Sequence, residues 1–412
     1  MRRVVITGMG AITPIGNTLQ DFWDGIQNGK NGIDTITAFP IENRKVTLAA
    51  EVKNFKPEEL LDKREARRMD RFTQFALVAA REAFADSGLK KEEEDASRMG
   101  VILSSGIGGL KTIEEEDKKG AEKGYDRVSP FFIPMAISNM AAGTIAIDLG
   151  LQGMCSSVVT ACASGTNAIG DGFRHIKHGY AEVMLCGGSE ASITPLGMGG
   201  FTSLQALNTT TDKNRASIPF DKERSGFIMG EGAGVLVLEE YEHAKQRGAK
   251  IYAEVVGYGA NCDAHHMTAP LEDGSGAAAC MKLALQEAGI EPCQVTYINA
   301  HGTSTPLNDK GETKAIKAVF KEYAYDLAVS STKSMTGHLL GASGAIEGIV
   351  TALSIQQGFI PPTINYRVPD EECNLDIVPN EGRKKEVIYA LSNSLGFGGH
   401  NASILLKKIE EV

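Results

Sequence analysis

Along the 412-residue chain, short β-branched runs alternate with stretches whose apolar positions recur every three or four residues. Runs at Val4–Thr7, Met99–Leu103, Val183–Cys186 and Val235–Leu238 predict buried strands. A second series, Ala253–Val256, Val295–Ile298, Leu327–Ser330, Val387–Leu391 and Ser403–Leu406, repeats the rhythm. Helical spacing predicts helices over Asp62–Ser87, Gly276–Ala288, Asp309–Tyr323 and Ala342–Gln357. In the first of these, Met69, Phe72, Ala76, Ala79, Ala80 and Ala83 share a face, and Gly88 is the stop signal. Residues 111–127 read as a charged, exposed excursion, and the Gly/Ser/Thr-rich stretch 190–230 as a long functional loop. Each series closes on a glycine-rich turn followed by an apolar run, at Gly230–Leu238 and Gly396–Leu406. The alternation predicts an α/β protein built by internal duplication, with halves 1–250 and 251–412 packed helix against helix.

One corner stands out. Ser157–Thr160 reads as a buried strand, and small or apolar residues at helical spacing follow from Ala161 to Ile176. Cys162 therefore falls at a strand-to-helix corner, where free amides and the helix dipole favour a thiolate. The pattern alone leaves two readings open, a buried structural cysteine and a nucleophile.

Charge and cysteine usage narrow the function. With 42 basic and 52 acidic residues the net charge is −10, which argues against a nucleic-acid-binding role. No apolar run approaches the ~20 residues of a membrane span. Seven cysteines without a CxxC pair fit free thiols in a reducing cytoplasm better than a disulfide scaffold or a metal site. Gly8-Met9-Gly10 follows a strand, but Thr13 stands where a dinucleotide fingerprint needs its third glycine, so no nucleotide site is assigned. Lys63, Arg64, Arg67, Arg68 and Arg71 concentrate cations at the start of an otherwise ordinary helix, a docking patch for an acidic partner or simply a solvated face.

Three further stretches at strand ends carry chemistry: Asn299–Thr305 with His301, Ser331–His338 with Lys333, and the glycine turn Ser392–Gly399. Two histidines, each beside glycine and each following a strand, with a lysine five residues before one, are more than isolated polar residues. Phe131–Pro134 inserts bulky apolar residues into a polar loop, as core or as a pocket wall.

Together, Thr160–Ala168, Asn299–Thr305, Lys333–His338 and Gly396–Gly399 resemble the motifs of β-ketoacyl-acyl-carrier-protein synthases of the elongating type, condensing enzymes of the thiolase superfamily. The likeness spans nearly the whole chain and is strongest to the bacterial synthase II branch, with Ile107 where synthase I enzymes tend to have a smaller residue. It implies a thiolase-like α-β-α-β-α layering and an acyltransferase that condenses acyl- with malonyl-carrier protein. Cys162 would carry the acyl group, His301 and His338 would donate to the developing oxyanion, and Lys333 with Glu347 would support them. The backbone of Cys162 and Phe397 would hold the tetrahedral oxyanion, with the Phe397 side chain as gate. Thr303 and Thr305 would bind pantetheine, and Ile107, Phe131, Ile133 and Phe201 would line the acyl pocket. Arg64, Arg67 and Arg68 would dock the acidic helix of the carrier protein. The resemblance implies a homodimer, no cofactor beyond the substrates' phosphopantetheine, and a structural monovalent cation near Asn299, Glu347 and Asn393.

Rival readings differ at single residues. A biosynthetic thiolase would carry a second cysteine where Phe397 stands, and an initiating synthase would replace His338 by asparagine. A non-catalytic, chain-length-setting partner subunit would lack Cys162. A synthase I or a discrete polyketide ketosynthase is separated less sharply.

Overall fold

The computed structural model describes residues 1–409. Ten strands form one sheet: β1 Val4–Ile12, β2 Met99–Ser104, β3 Cys155–Ser156, β4 Val183–Glu190, β5 Gly232–Glu240, β6 Ala253–Cys262, β7 Val295–Asn299, β8 Ala328–Ser330, β9 Tyr389–Gly396 and β10 His400–Lys407. Their order is β8-β7-β9-β10-β6-β1-β5-β4-β2-β3. Read outward from the centre, each half has the same order and the same directions: two antiparallel pairings, then two parallel ones. The halves meet where Val4–Ile6 pairs with Ala253–Val255.

The principal helices repeat in register with the strands: α1 Arg71–Ser87, α2 Met140–Leu149, α3 Ser164–Lys177, then α4 Ser275–Ala288, α5 Pro306–Phe320 and α6 Ser343–Gln357. Helices α1 and α2 cover the outer face of the first half, α4 and α5 that of the second, and α3 and α6 lie between. Three apolar cores fill the gaps, and strand alternation assigns side chains to them. Val235 and Val237 join Phe72 and Phe75 in the outer core of the first half. Leu236 and Leu238 face inward with Ile169, Phe173, Ile346 and Ile349. In the second half Leu405 points outward to Met281 and Ile316, whereas Ile404 and Leu406 join the central core. This is the layered thiolase-like arrangement expected from the resemblance.

Four local expectations change, the first being the long loop expected over 190–230, which contains a helix, Pro195–Ser203, capped by Thr194. The helix expected over Asp62–Ser87 breaks into Lys63–Ala66 and α1, because Asp70 caps the Phe72 N–H (3.2 Å) and accepts from Thr112 Oγ1 (2.7 Å). The strand expected at Ser157–Thr160 is only Cys155–Ser156. Residues 157–160 are irregular and Val159 is exposed. The excursion expected over 111–127 is chiefly a helix, Leu110–Lys123, with few buried side chains.

Candidate active site

Cys162 sits in a single 3₁₀ turn, Ala161–Ala163, that leads into α3. Ala161 takes a left-handed φ of 49° to make the corner. The sulfur is buried, and burial pushes the thiol up to about 12 against the opposing pull of Lys333 and the Phe397 amide. The thiolate expected from the sequence is therefore not the resting state, because desolvation outweighs those stabilising contacts. Gly396 lets the final turn close on this corner: a Cβ there would stand 2.8 Å from the Thr160 carbonyl and 3.1 Å from the Cys162 nitrogen.

His301 follows β7 and His338 lies in the nine-residue connection from β8 to the turn before α6. Both are buried. Their rings meet edge to face with centroids 5.3 Å apart. The Nδ1 of His338 accepts from the Leu340 N–H (3.3 Å) and lies 2.8 Å from Ser343 Oγ. The Nδ1 of His301 lies 3.4 Å from Lys333 Nζ, which can only donate. Both contacts assign the hydrogen to Nε2. Burial first, and Lys333 second, hold both imidazoles well below their usual range, so they are neutral donors at pH 7.

Lys333 is buried and paired with Glu347. Burial raises the Glu347 carboxyl to about 7, with Lys333 opposing. Its Oε2 and both side-chain polar atoms of Asn299 are buried without a hydrogen-bond partner. Those orphaned oxygens suit the monovalent cation expected near Asn299, Glu347 and Asn393. Among the described residues, no group of three His, Cys, Asp or Glu is placed to hold a metal ion.

Cys162, His301, His338, Phe397, Phe201, Thr303 and Thr305 line one cavity of about 380 Å³. The two threonine hydroxyls are 2.9 Å apart. The Phe397 ring lies 6.2 Å from Phe201. Ile107, Phe131 and Ile133 are not brought to this cavity and are surface residues of the single chain. Phe131 stacks under the Arg68 guanidinium at 4.7 Å. Arg64, Arg67 and Arg68 are exposed and make no ion pair among the described residues, whereas Arg71 is bound internally to Glu231 (2.7 Å).

Sequence reasoning missed several residues at the site. Phe227 packs against both Phe201 (5.5 Å) and His338 (5.2 Å). Ile193, Met198 and Leu340 join Cys162 in one apolar cluster. Glu312 accepts the backbone N–H groups of His301 and Gly302, each at 2.8 Å, and burial raises it to about 7. Its burial on α5 under an apolar face is the one signal that could have marked it. Glu190 carried none.

A duplicated α/β fold that presents a cysteine and two neutral histidines to one cavity, with a buried lysine behind one of them, defines a thiolase-like condensing enzyme. The chain belongs to the β-ketoacyl synthase family: the N-terminal domain of that family matches residues 1–244 and its C-terminal domain residues 252–367. It is 54% identical over 410 residues to the 3-oxoacyl-[acyl-carrier-protein] synthase 2 of Synechocystis sp., covering 99% of both chains. Identity to the synthase 2 of Staphylococcus aureus is 55% over 409 residues, again 99% of each. Among solved structures, a type II polyketide ketosynthase bound to its acyl-carrier protein superposes with a TM-score of 0.92. It is 38% identical, with 99% of this chain and 100% of that one covered. A β-ketoacyl synthase from Burkholderia phymatum gives 0.91 at 34% identity, with full coverage of both.

Proposed function

We propose that this chain elongates fatty acids by decarboxylative Claisen condensation of acyl- with malonyl-carrier protein, giving 3-oxoacyl-carrier protein and CO2, as a synthase of type II. The observation that carries the reading is the pair of Nε2–H donors, fixed by their Nδ1 contacts, in the same cavity as a buried thiol. Identity near 55% to synthase 2 relatives, against 38% to the polyketide ketosynthase, favours elongation over polyketide assembly.

In the proposed sequence the Cys162 sulfur attacks the acyl thioester, and its proton leaves with the phosphopantetheine thiol. Thr303 and Thr305 hold the pantetheine arm. After malonyl-carrier protein enters, the bond to the carboxylate breaks as CO2 departs. Its electron pair becomes an enolate whose oxygen takes hydrogen bonds from His301 and His338. Neutral imidazoles suit this step, since neither must lose a proton at neutral pH. The carbanion carbon attacks the acyl carbonyl, and the N–H groups of Cys162 and Phe397 hold the resulting oxyanion. Collapse expels the Cys162 thiolate, which takes one proton from solvent. Lys333, with Glu347, keeps His301 in its donor tautomer, and Phe397 gates the two half-reactions. No cofactor beyond the carried phosphopantetheine enters, and a monovalent cation held by Asn299, Asn393 and Glu347 would neutralise the buried carboxylate.

The exposed Arg64, Arg67 and Arg68, which make no ion pair among the described residues, form the carrier-protein dock in this reading. A homodimer joined along edge strand β3 would cover the exposed Ile147, Met154 and Val159 and bring Phe131 and Ile133 toward the acyl side. Among the described residues no helix is long and apolar enough to cross a membrane, and the free cysteines suit a cytoplasmic enzyme. The test is intact-protein mass after mixing with acyl-carrier proteins of graded length. An adduct on Cys162 that is discharged by malonyl-carrier protein supports the reading; malonyl decarboxylation with no adduct at any length rules it out. Sedimentation showing only single chains at micromolar concentration would rule out the dimer.

A further inference from the structure

Glu190 ends β4 and is fully buried, yet the condensation chemistry gives it no step. Its two carboxylate oxygens gather five donors from three segments. Oε2 accepts from the Gly106 N–H (2.7 Å) and the Gly341 N–H (3.1 Å). Oε1 accepts from Ser192 Oγ (2.9 Å), Ser105 Oγ (3.2 Å) and the Ile107 N–H (3.3 Å). Gly341 follows Leu340, which joins Cys162 in one apolar cluster, and stands three residues from His338. We propose that Glu190 is a positioning residue that locks the corner Leu340–Ala342 to the loop 105–107, so that the apolar wall Leu340 sets against the Cys162 thiol keeps one geometry. This inference rests on the condensing reading above.

The local packing shows how closely the tie is drawn. A Cβ on Gly341 would stand 2.3 Å from the Gly106 nitrogen and 2.9 Å from Glu190 Oε2. A Cβ on Gly106 would stand 2.8 Å from the same oxygen. Both glycines are needed for the two backbones to share one carboxylate. Five donors, two of them hydroxyls, compensate a buried acceptor that would otherwise be costly to desolvate. When ionised, Glu190 favours the Cys162 thiol over the thiolate, as Glu347 does and against the pull of Lys333. Burial raises the Glu190 carboxyl, while hydrogen bonds from Gly106, Ser192, Gly341 and Ser105 oppose that rise. The carboxylate therefore lies within electrostatic reach of the nucleophile as well as of the backbone it holds.

Glu190→Gln separates the two tethers. With the amide oxygen kept on Gly106 and Gly341, the NH2 faces the Ser105 and Ser192 hydroxyls, which can turn to accept, and the Ile107 N–H, which cannot. The expected result is a selective loss: Cys162 acylation by a long-chain acyl-carrier protein slows by about tenfold or more, while malonyl decarboxylation falls by less than about threefold. Ser105→Ala removes one of the five donors while keeping the carboxylate and its other four contacts, and is expected to show the same selectivity at about threefold. It decides the matter if the glutamine variant does not fold. Unchanged acylation, or equal losses in the two half-reactions, would overturn the proposal while leaving the condensing reading intact. A wild-type protein that neither acylates nor decarboxylates would remove both.

Discussion

The two corners that enter α3 and α6 occupy equivalent places in the two halves, and they do opposite work. Each is a 3₁₀ turn, Ala161–Ala163 and Leu340–Ala342, with a left-handed first residue at φ 49° and 48°. Each continues Ala-Ser-Gly into its helix. The glycines are reciprocal: a Cβ on Gly165 would stand 2.7 Å from the Ala345 nitrogen, and one on Gly344 2.1 Å from Thr166 Oγ1. The middle residue differs, Cys162 in one and Gly341 in the other. So does the connection from the preceding strand: residues 157–160 in the first half, against 331–339 in the second, which carry Lys333 and His338. One copy keeps a short approach and puts Cys162 on the corner. The other empties the corner so that Glu190 and Gly106 can close on it, and uses the longer approach to bring His338 into the same cavity as Cys162. Duplication supplies the facing geometry, and a few residues per corner divide the labour.

The largest effects come from removing what is unique to each corner. Cys162→Ala is expected to abolish the acyl adduct in intact mass, while malonyl-carrier protein is still decarboxylated because the donor side is untouched. His301→Ala or His338→Ala should do the reverse, with a loss of about 10²–10³ in decarboxylation for a single donor and a smaller loss in acylation. Equal damage to both half-reactions by either histidine variant would erase the division between the corners.

The reciprocal glycines give a stability test. Gly344→Ala forces a methyl group into Thr166, where its hydroxyl meets Ser394 Oγ at 2.7 Å, and is expected to cost about 1–3 kcal/mol by denaturant titration. A neutral result would mean that the helices do not meet so closely. The pH response separates the corners again. A thiol raised to about 12 holds a thiolate fraction that grows roughly tenfold per pH unit, so Cys162 alkylation by iodoacetamide should still be climbing at pH 9. Imidazoles held well below 6.5 lose their neutral form only as pH falls beneath that shifted value. Protonation of the imidazoles should accordingly depress decarboxylation only on the acid side, and any step near pH 7 would belong to the Glu347 and Glu312 carboxyls. A plateau in alkylation at pH 8 would show that the corner stabilises the thiolate after all.

The alternation of short apolar runs with helical spacing made the duplicated α/β plan legible, because burial on both faces of a strand or one face of a helix leaves a periodic trace. Cys162, His301, Lys333 and His338 were legible as motifs at strand ends. The break in the expected helix at Asp70 was not, since its cause is a hydrogen bond to Thr112, forty-two residues away. Nor was the thiol's resting state, which depends on how deeply the second half covers the first. Phe227 and Glu190 were invisible for the same reason: each is an ordinary residue in its own segment and becomes part of the site only through contacts across the fold, whereas Glu312 showed only as an acidic residue on the apolar face of α5. Ile107, Phe131 and Ile133 carry the opposite lesson, since one chain leaves them at its surface.

The comparison extends to the approaches of the outer helices, and this gives the smallest expected effect. The segment before α1 exposes Lys63, Arg64, Arg67 and Arg68. The equivalent segment before α4, residues 263–274, has no lysine or arginine and carries Asp263, Glu272 and Asp273. Only the first can attract an acidic carrier protein. Arg67→Glu with Arg68→Glu should raise KM for the acyl-carrier protein by about tenfold at low salt through lost steering, with kcat nearly unchanged. The difference should shrink as salt shortens the Debye length from ~10 Å at 0.1 M. An acyl-pantetheine thioester without the protein should show no change, because the cavity is untouched. Glu272→Lys with Asp273→Lys should leave both substrates unaffected. If that second pair altered KM as strongly as the first, the carrier protein would be meeting both halves, and the functional asymmetry between the two approaches would be lost.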